Sequence, residues 1–380
     1  MDVNRSLAAN RGRRRGLLLV LLTATALCAG PFATVSAADE DLPELTDEYS
    51  QQVARLKEVT VDTSQYKKDP PYTIATIVEG PINGWGQIFD TTMDARMEET
   101  GKFDMEKRLY VPWNYDAANQ AKGIEDAVAQ GVDAILLTPL SRAALAAPVE
   151  RAIEAGIPVI LCMAGVQTDK YTAEVSAEIP RMGYENAKAI AEKLDGRGTV
   201  VVLHGIAGVD AMEYGKIGAD VAWAEYPDLR VVEQYGNWTT GDALNVMRTI
   251  IVQEPEIDAI YVGGFEMAVG AIQALKEVGR PIPFISGSSI TNGFLRIAAD
   301  EGLDFYAIQF PPAGSKVCVD KVVDVLEGNP VQQYTSVWDV LPGVDPFGPE
   351  GLADIYRPQF DDNFVGPTFY SDDVYEEAGF

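Results

Sequence analysis

Three side chains in one short loop have the types needed to hold a small molecule. Glu79, Asn83 and Trp85 supply a carboxylate, an amide and a large aromatic face. The first two can pair hydroxyl or amine groups, and the third can cover an apolar ring face. They follow a β-branched run, Thr73 to Val78, which reads as a buried strand. Gly80, Pro81, Gly84 and Gly86 mark the connection as a loop. A helix is predicted from near Gln87, with Ile88, Met93 and Met97 on one face. Strand, loop and helix form half of a βαβ unit, and open parallel sheets bind ligands at such loops. The blander reading is a surface loop with Trp85 plugging the core.

The rest of the chemistry is sparse. His204 is the one histidine, so no polyhistidine metal site can form and a Ser-His-Asp triad has one possible base. No nucleophile elbow, zinc spacing or dinucleotide fingerprint occurs, and no cofactor or metal is expected. Gly205 and Gly208 after a strand suggest a phosphate cradle, but the third spaced glycine and the lysine are missing. Asp361, Asp362 and Asn363, then Asp372 and Asp373, lack the spacing of a calcium loop and read as solvated acidic loops. Cys162 and Cys318 both lie inside apolar runs and read as buried free thiols, although a disulfide is open to them in an oxidising compartment. An enzyme using a carboxylate pair as acid and base stays open, because acids are abundant.

The start of the chain reads as an export signal. Arg5, Arg11, Arg13, Arg14 and Arg15 precede the apolar run Gly16 to Ala29 and a small-residue stretch ending at Ala37. Either general secretion or a twin-arginine route fits. Cleavage there lowers the basic count from 30 to 25 and the acidic count from 57 to 56, a net charge of −31. So acidic a surface argues against nucleic acid and anionic membranes as partners and fits high-salt surroundings.

Strands and helices then alternate. Residues 38–71 read as an acidic extension with one helix around Tyr49 to Val59. From Tyr72 a strand–helix–strand rhythm runs to about residue 177 and restarts to about residue 309, giving two α/β halves with parallel sheets covered by helices. Pro311 to Gly328 is a further helix, Val331 to Pro342 is extended, and residues 346–380 read as a loosely packed surface tail.

At this point the chain resembles a known family. TIATIV, GVDAILLTPL with AGIPVI, TVVVLHGIAG, ALNVMRTII, DAIYVGGFEMAVGAIQALKEVG and AIQFPPAGSK stand in one order. This order is similar to the ribose- and galactose-type periplasmic binding proteins of sugar ABC transporters, over about Tyr72 to Pro342. The resemblance implies two Rossmann-like lobes, 72–177 with 311–335 and 178–309 with 336–345, joined by a three-crossing hinge around a ligand cleft. It implies a monomeric, non-enzymatic, periplasmic receptor for a small neutral sugar or polyol. Such a receptor would hand its ligand to an inner-membrane ABC permease, or present its closed form to a chemoreceptor.

The resemblance carries over unevenly by residue. Asn83 and Trp85 match a cleft asparagine and aromatic, Trp238 a second aromatic, and Gln309 a hinge-side glutamine. Where the family has an Asp-Arg pair, this chain has Cys162 and Met163. Where it has Asn-Asp, this chain has Gly264 and Phe265, and Ser289 is nearest to a third expected aspartate. Either Glu79, Glu178, His204, Asp210 and Glu213 supply polarity from other positions, or the ligand is less hydroxylated than a hexose. Trp113, Met163 and Phe265 are candidates for either cleft lining or packing. An acidic, aromatic pocket also suits a cation, so a quaternary amine, amino acid or signalling molecule stays as the alternative ligand.

Overall fold

The computed structural model describes residues 45 and 47–380. The predicted export signal lies outside them. Among the described residues no helix is long and apolar enough to cross a membrane.

Helix α1 (Glu48–Leu56) and the short strand β1 (Thr60–Val61) come first. Asp47 caps α1 by accepting from the Ser50 amide at 2.9 Å. Then follow β2 (Ile74–Val78), α2 (Gly84–Thr100), β3 (Leu109–Pro112), α3 (Ala117–Gln130), β4 (Ala134–Leu137), α4 (Arg142–Glu154), β5 (Val159–Cys162) and β6 (Ala173–Ser176). The second half holds α5 (Ile179–Lys193), β7 (Gly198–His204), α6 (Asp210–Glu225), β8 (Leu229–Tyr235), α7 (Thr240–Gln253), β9 (Ala259–Val262), α8 (Phe265–Glu277), β10 (Phe284–Ser288), α9 (Asn292–Glu301) and β11 (Phe305–Ile308). The chain returns through α10 (Gly314–Glu327), β12 (Val331–Gln332), β13 (Tyr334–Ser336) and α11 (Val337–Val340), and ends with α12 (Leu352–Ile355) and α13 (Asp372–Glu377).

Two parallel sheets result. One has the order β13-β6-β5-β4-β2-β3 and the other β11-β10-β9-β7-β8. In the first sheet, alternate residues feed two different cores. Ala75, Ile77, Ile135 and Leu137 join one, and Ile74, Val78, Ala134 and Leu136 the other. A strand covered on both faces must be apolar at every position, which is why β2 and β4 read as continuous hydrophobic runs. The second sheet buries Val201, Leu203, Ile260 and Val262 against Met247 and Leu275.

Up to the antiparallel bridge of Phe347 with Ala307 of β11 the chain passes between the lobes three times, after β6, between β11 and α10, and after β13, and its last residues return to α2 of the first lobe. The fold is α/β with two lobes, as the sequence suggests.

Two expectations need correction, and the extension, which forms its expected helix, proves part of the core. Cys162 and Cys318 are joined as a disulfide, with Cα atoms 5.8 Å apart. Their apolar neighbours suggested free thiols, but α10 lies across β5 and brings together cysteines 156 residues apart. The end of the chain is not loosely packed: Phe360, Phe364 and Tyr375 are buried in a cluster with Ile88 of α2. Their aromatic area is too large to leave in water. The extension is also integral. Tyr49, Val53 and Leu56 of α1 enter the first lobe's core, and β1 pairs with β12.

Candidate functional site

The strand orders reverse between β2 and β4 in one sheet and between β7 and β9 in the other. Crevices form at such switch points, beyond the carboxyl ends of the strands. Here the two crevices share one cavity of about 590 Å³, to which these strand ends contribute Glu79, Thr138, His204 and Gly263.

Glu79 is only 7% exposed. Gly80, at φ +84°, turns the chain there, and a side chain at 80 would press on Pro112. Asn83 has two tasks. Its Oδ1 accepts from the Gly86 amide and caps α2, while its Nδ2 donates to Glu79 at 3.0 Å. Burial pushes the Glu79 carboxyl up to about 8, although the Asn83 bond opposes the rise. Glu266 lines the same cavity and is pushed up by burial to about 7. At neutral pH Glu79 is thus largely protonated and Glu266 partly so. A neutral carboxyl donates as well as accepts.

The aromatic walls come from four elements. Trp85 stacks between Phe89 and Phe310, with centroids 5.2 and 5.5 Å away, and its Nε1 donates to the Phe310 carbonyl at 2.9 Å. Phe310 lies on the second crossing, so this wall is tied to the hinge. Trp113 and Leu140 of the first lobe meet Val209 and Met212 of the second, and Trp238 packs against them. A Cβ at Gly205 would fall 2.0 Å from the Trp238 indole, so glycine there makes room for the ring. Trp113 Nε1 and Thr138 Oγ1 face no protein partner among the described residues, although both are buried. Groups in that state are costly unless something else bonds them.

Backbone strain collects here too. Met163, Trp238 and Ser289 are non-glycine residues with φ between 53° and 62°, and all three line the cavity. Left-handed backbone costs about 1–3 kcal/mol per residue and clusters at functional sites.

Residues 74–330 match the model of the periplasmic binding protein domain. The chain belongs to the periplasmic binding protein family. It is 33% identical to a xylitol-binding protein of Mycolicibacterium smegmatis over 184 residues, 47% of this chain and 52% of that protein. The match thus spans about half the length of that relative. It is 28% identical to a ribose import binding protein of Bacillus subtilis over 65% of this chain and 81% of the relative. An ABC transporter solute-binding protein from Bacillus halodurans, solved with bound myo-inositol, superposes with a TM-score of 0.67 at 21% identity, covering 76% of this chain and 98% of that one. That likeness concerns the fold.

Within this periplasmic binding protein the cavity gathers Glu79, Asn83, Trp85, Trp113, Met163, Trp238 and Ser289 from the sequence candidates. It does not gather Phe265, Gln309, Asp210 or Glu178. Phe265 opens α8 and points into the second core against Phe294, with centroids 4.4 Å apart. Gln309 is fully buried, and its carbonyl accepts from Trp338 Nε1 at 2.7 Å. Asp210 caps the Arg142 amide across the lobe boundary. Glu178 pairs with Lys57 of the extension at 2.5 Å. His204 lines the cavity but is bonded to Glu233 at 2.7 Å.

The sequence reasoning missed Thr138, Glu266, Tyr261 and Asn363, which also line the cavity. Thr138 and Glu266 follow strands at the two switch points, a signal available once the strand order is guessed. Asn363 gave no signal, because it lies in a segment far away in sequence.

Proposed function

We propose that this chain is an exported, non-enzymatic receptor that closes on a small neutral sugar or polyol and passes it to an ABC permease. One observation carries the reading: a single interlobe cavity joins aromatic walls with buried polar groups, Trp113 Nε1 and Thr138 Oγ1, that have no protein partner among the described residues. Sugars and polyols present hydroxyls that both donate and accept. They suit the largely protonated Glu79, the partly protonated Glu266, the Trp113 Nε1 donor and Thr138 Oγ1. Trp85 and Trp238 cover the apolar face of the same ligand. The relatives named for xylitol and ribose agree with this class. The largely neutral Glu79 favours it over a quaternary amine.

Closure selects the ligand by differential affinity for the closed state, in which the Asp210 carboxylate of one lobe bonds the Arg142 amide of the other. The receptor acts as a monomer outside the cytoplasmic membrane, and a chemoreceptor could read the same closed form. The test is a thermal-shift panel of pentoses, hexoses, polyols, amino acids and quaternary amines on the mature protein in high salt. A sugar or polyol hit at 100 times its Kd raises stability by about 2.7 kcal/mol. A hit confined to amines would replace the ligand class and keep the fold.

A further inference from the structure

The last 36 residues contribute to the cavity wall and also connect the lobes. Asn363 and Val365 line the cavity, although they follow the family-matched region, residues 74–330. The segment is rooted in the second lobe. Phe347 and Ile355 belong to its core. The Phe364 carbonyl accepts from the Asn292 amide at 2.8 Å, and the Asp362 carbonyl from the Gly293 amide at 2.9 Å. The segment then reaches α2 of the first lobe. Tyr375 packs on Ile88 and its hydroxyl lies 3.2 Å from Thr92 Oγ1. The Tyr370 hydroxyl donates to Glu99 at 2.9 Å, and Lys316 sits over the Tyr370 ring. At the cavity mouth the strap lies against the binding loop: a Cβ on Gly84 would meet the Asn363 carbonyl oxygen at 1.9 Å.

We propose that residues 361–380 form a strap over the cleft: residues 361–365 are part of the ligand site, and residues 370–375 latch the lobes shut. The assignment deepens the ligand-receptor reading, since it concerns the same cavity. Its logic is one of unequal anchors. The root uses backbone hydrogen bonds and core side chains of the second lobe. The latch uses the aromatic cluster on Ile88, two hydroxyls facing α2 and a cation–π pair with Lys316 of α10, and it must break when the lobes part. The strap thus sets how fast ligand leaves. It also limits ligand size at the mouth, where Asn363 stands beside Gly84.

The test compares the full chain with one ending at Ser371, which lacks α13 but keeps the root, and with the isosteric double variant T92V/Y370F. Two readouts need no ligand: the radius of gyration by solution scattering, and amide hydrogen exchange over residues 84–89. A third is the dissociation rate of ribose and xylitol. The strap predicts a larger radius, exchange faster by about tenfold in the shortened chain and a smaller change of the same sign in the double variant. It also predicts faster sugar release. A change in the ligand-free readouts with neither ribose nor xylitol bound supports the strap and removes those two as its ligands. Unchanged radius and exchange in folded variants overturn the strap. Should the shortened chain fail to fold, the double variant decides on the same readouts.

Discussion

On the proposed reading, Trp238 and Glu79 are the residues on which binding turns. Trp238 presents its ring to the cavity from a left-handed backbone position and fills space that Gly205 leaves open. Replacing it with alanine removes an aromatic wall together with its packing on Val209, Met212 and the second core. Trp238→Ala should weaken sugar affinity by about a hundredfold and lower the melting temperature of the ligand-free protein through the packing lost. Calorimetric titration reads the first and a thermal melt the second. Equal affinity would remove Trp238 from the site. Glu79 gives a pH prediction. Its folded value, about 8, exceeds its ordinary value of 4.5. The stability that goes with its protonated state is therefore full below about pH 4.5 and is lost as pH rises towards 8. Glu79→Gln should raise the melting temperature at pH 8 and leave it almost unchanged at pH 5. A rise of equal size at both pH values would show that ionisation is not the cause. The sequence singled out Glu79, Asn83 and Trp85 correctly as neighbours, because a strand end, a glycine-marked loop and a helix cap are local. It left Phe265 open between lining and packing, which the second core decides, and it put Gln309, Asp210 and Glu178 at a cavity they do not line. Whether an inter-element residue faces a cleft, a core or another lobe depends on packing that no local pattern encodes.

The elements were legible where periodicity was strong. Strands β2, β4, β7 and β9 stand out as apolar runs, and Gly101 and Gly131 end α2 and α3 in left-handed caps. What stayed hidden was long-range. The disulfide links β5 to α10 across 156 residues of sequence. Closing so long a loop in the unfolded chain favours the native state by roughly 2–5 kcal/mol. The C162S/C318S variant should lose that amount in a denaturant melt and keep its ligand affinity, since neither sulfur lines the cavity. A loss of affinity at native stability would mean that the bridge shapes the site. The terminal strap was hidden for the same reason: Pro358, Gly366 and Pro367 interrupt any regular element around Phe360, Phe364 and Tyr375, and their burial depends on Ile88, far upstream.

At the scale of the molecule, charge and closure dominate. The formal net charge is −27 over 380 residues, with 57 acidic against 30 basic side chains. Self-repulsion of that size is screened by salt, so the melting temperature should climb between low salt and about 1 M KCl, where the screening length is about 3 Å. A flat profile would show that the ion pairs already balance the field. On the proposed reading, closure depends on both lobes meeting one ligand, through Glu79, Trp113 and Thr138 on one side and Trp238 and Glu266 on the other. The most direct measurement is a calorimetric titration of the mature protein with ribose and with xylitol, each at two temperatures. The account predicts one ligand per chain for a sugar or polyol, with a negative heat-capacity change as the aromatic walls are covered. No heat and no change in melting for any sugar or polyol, beside saturable binding of an amine, would contradict it.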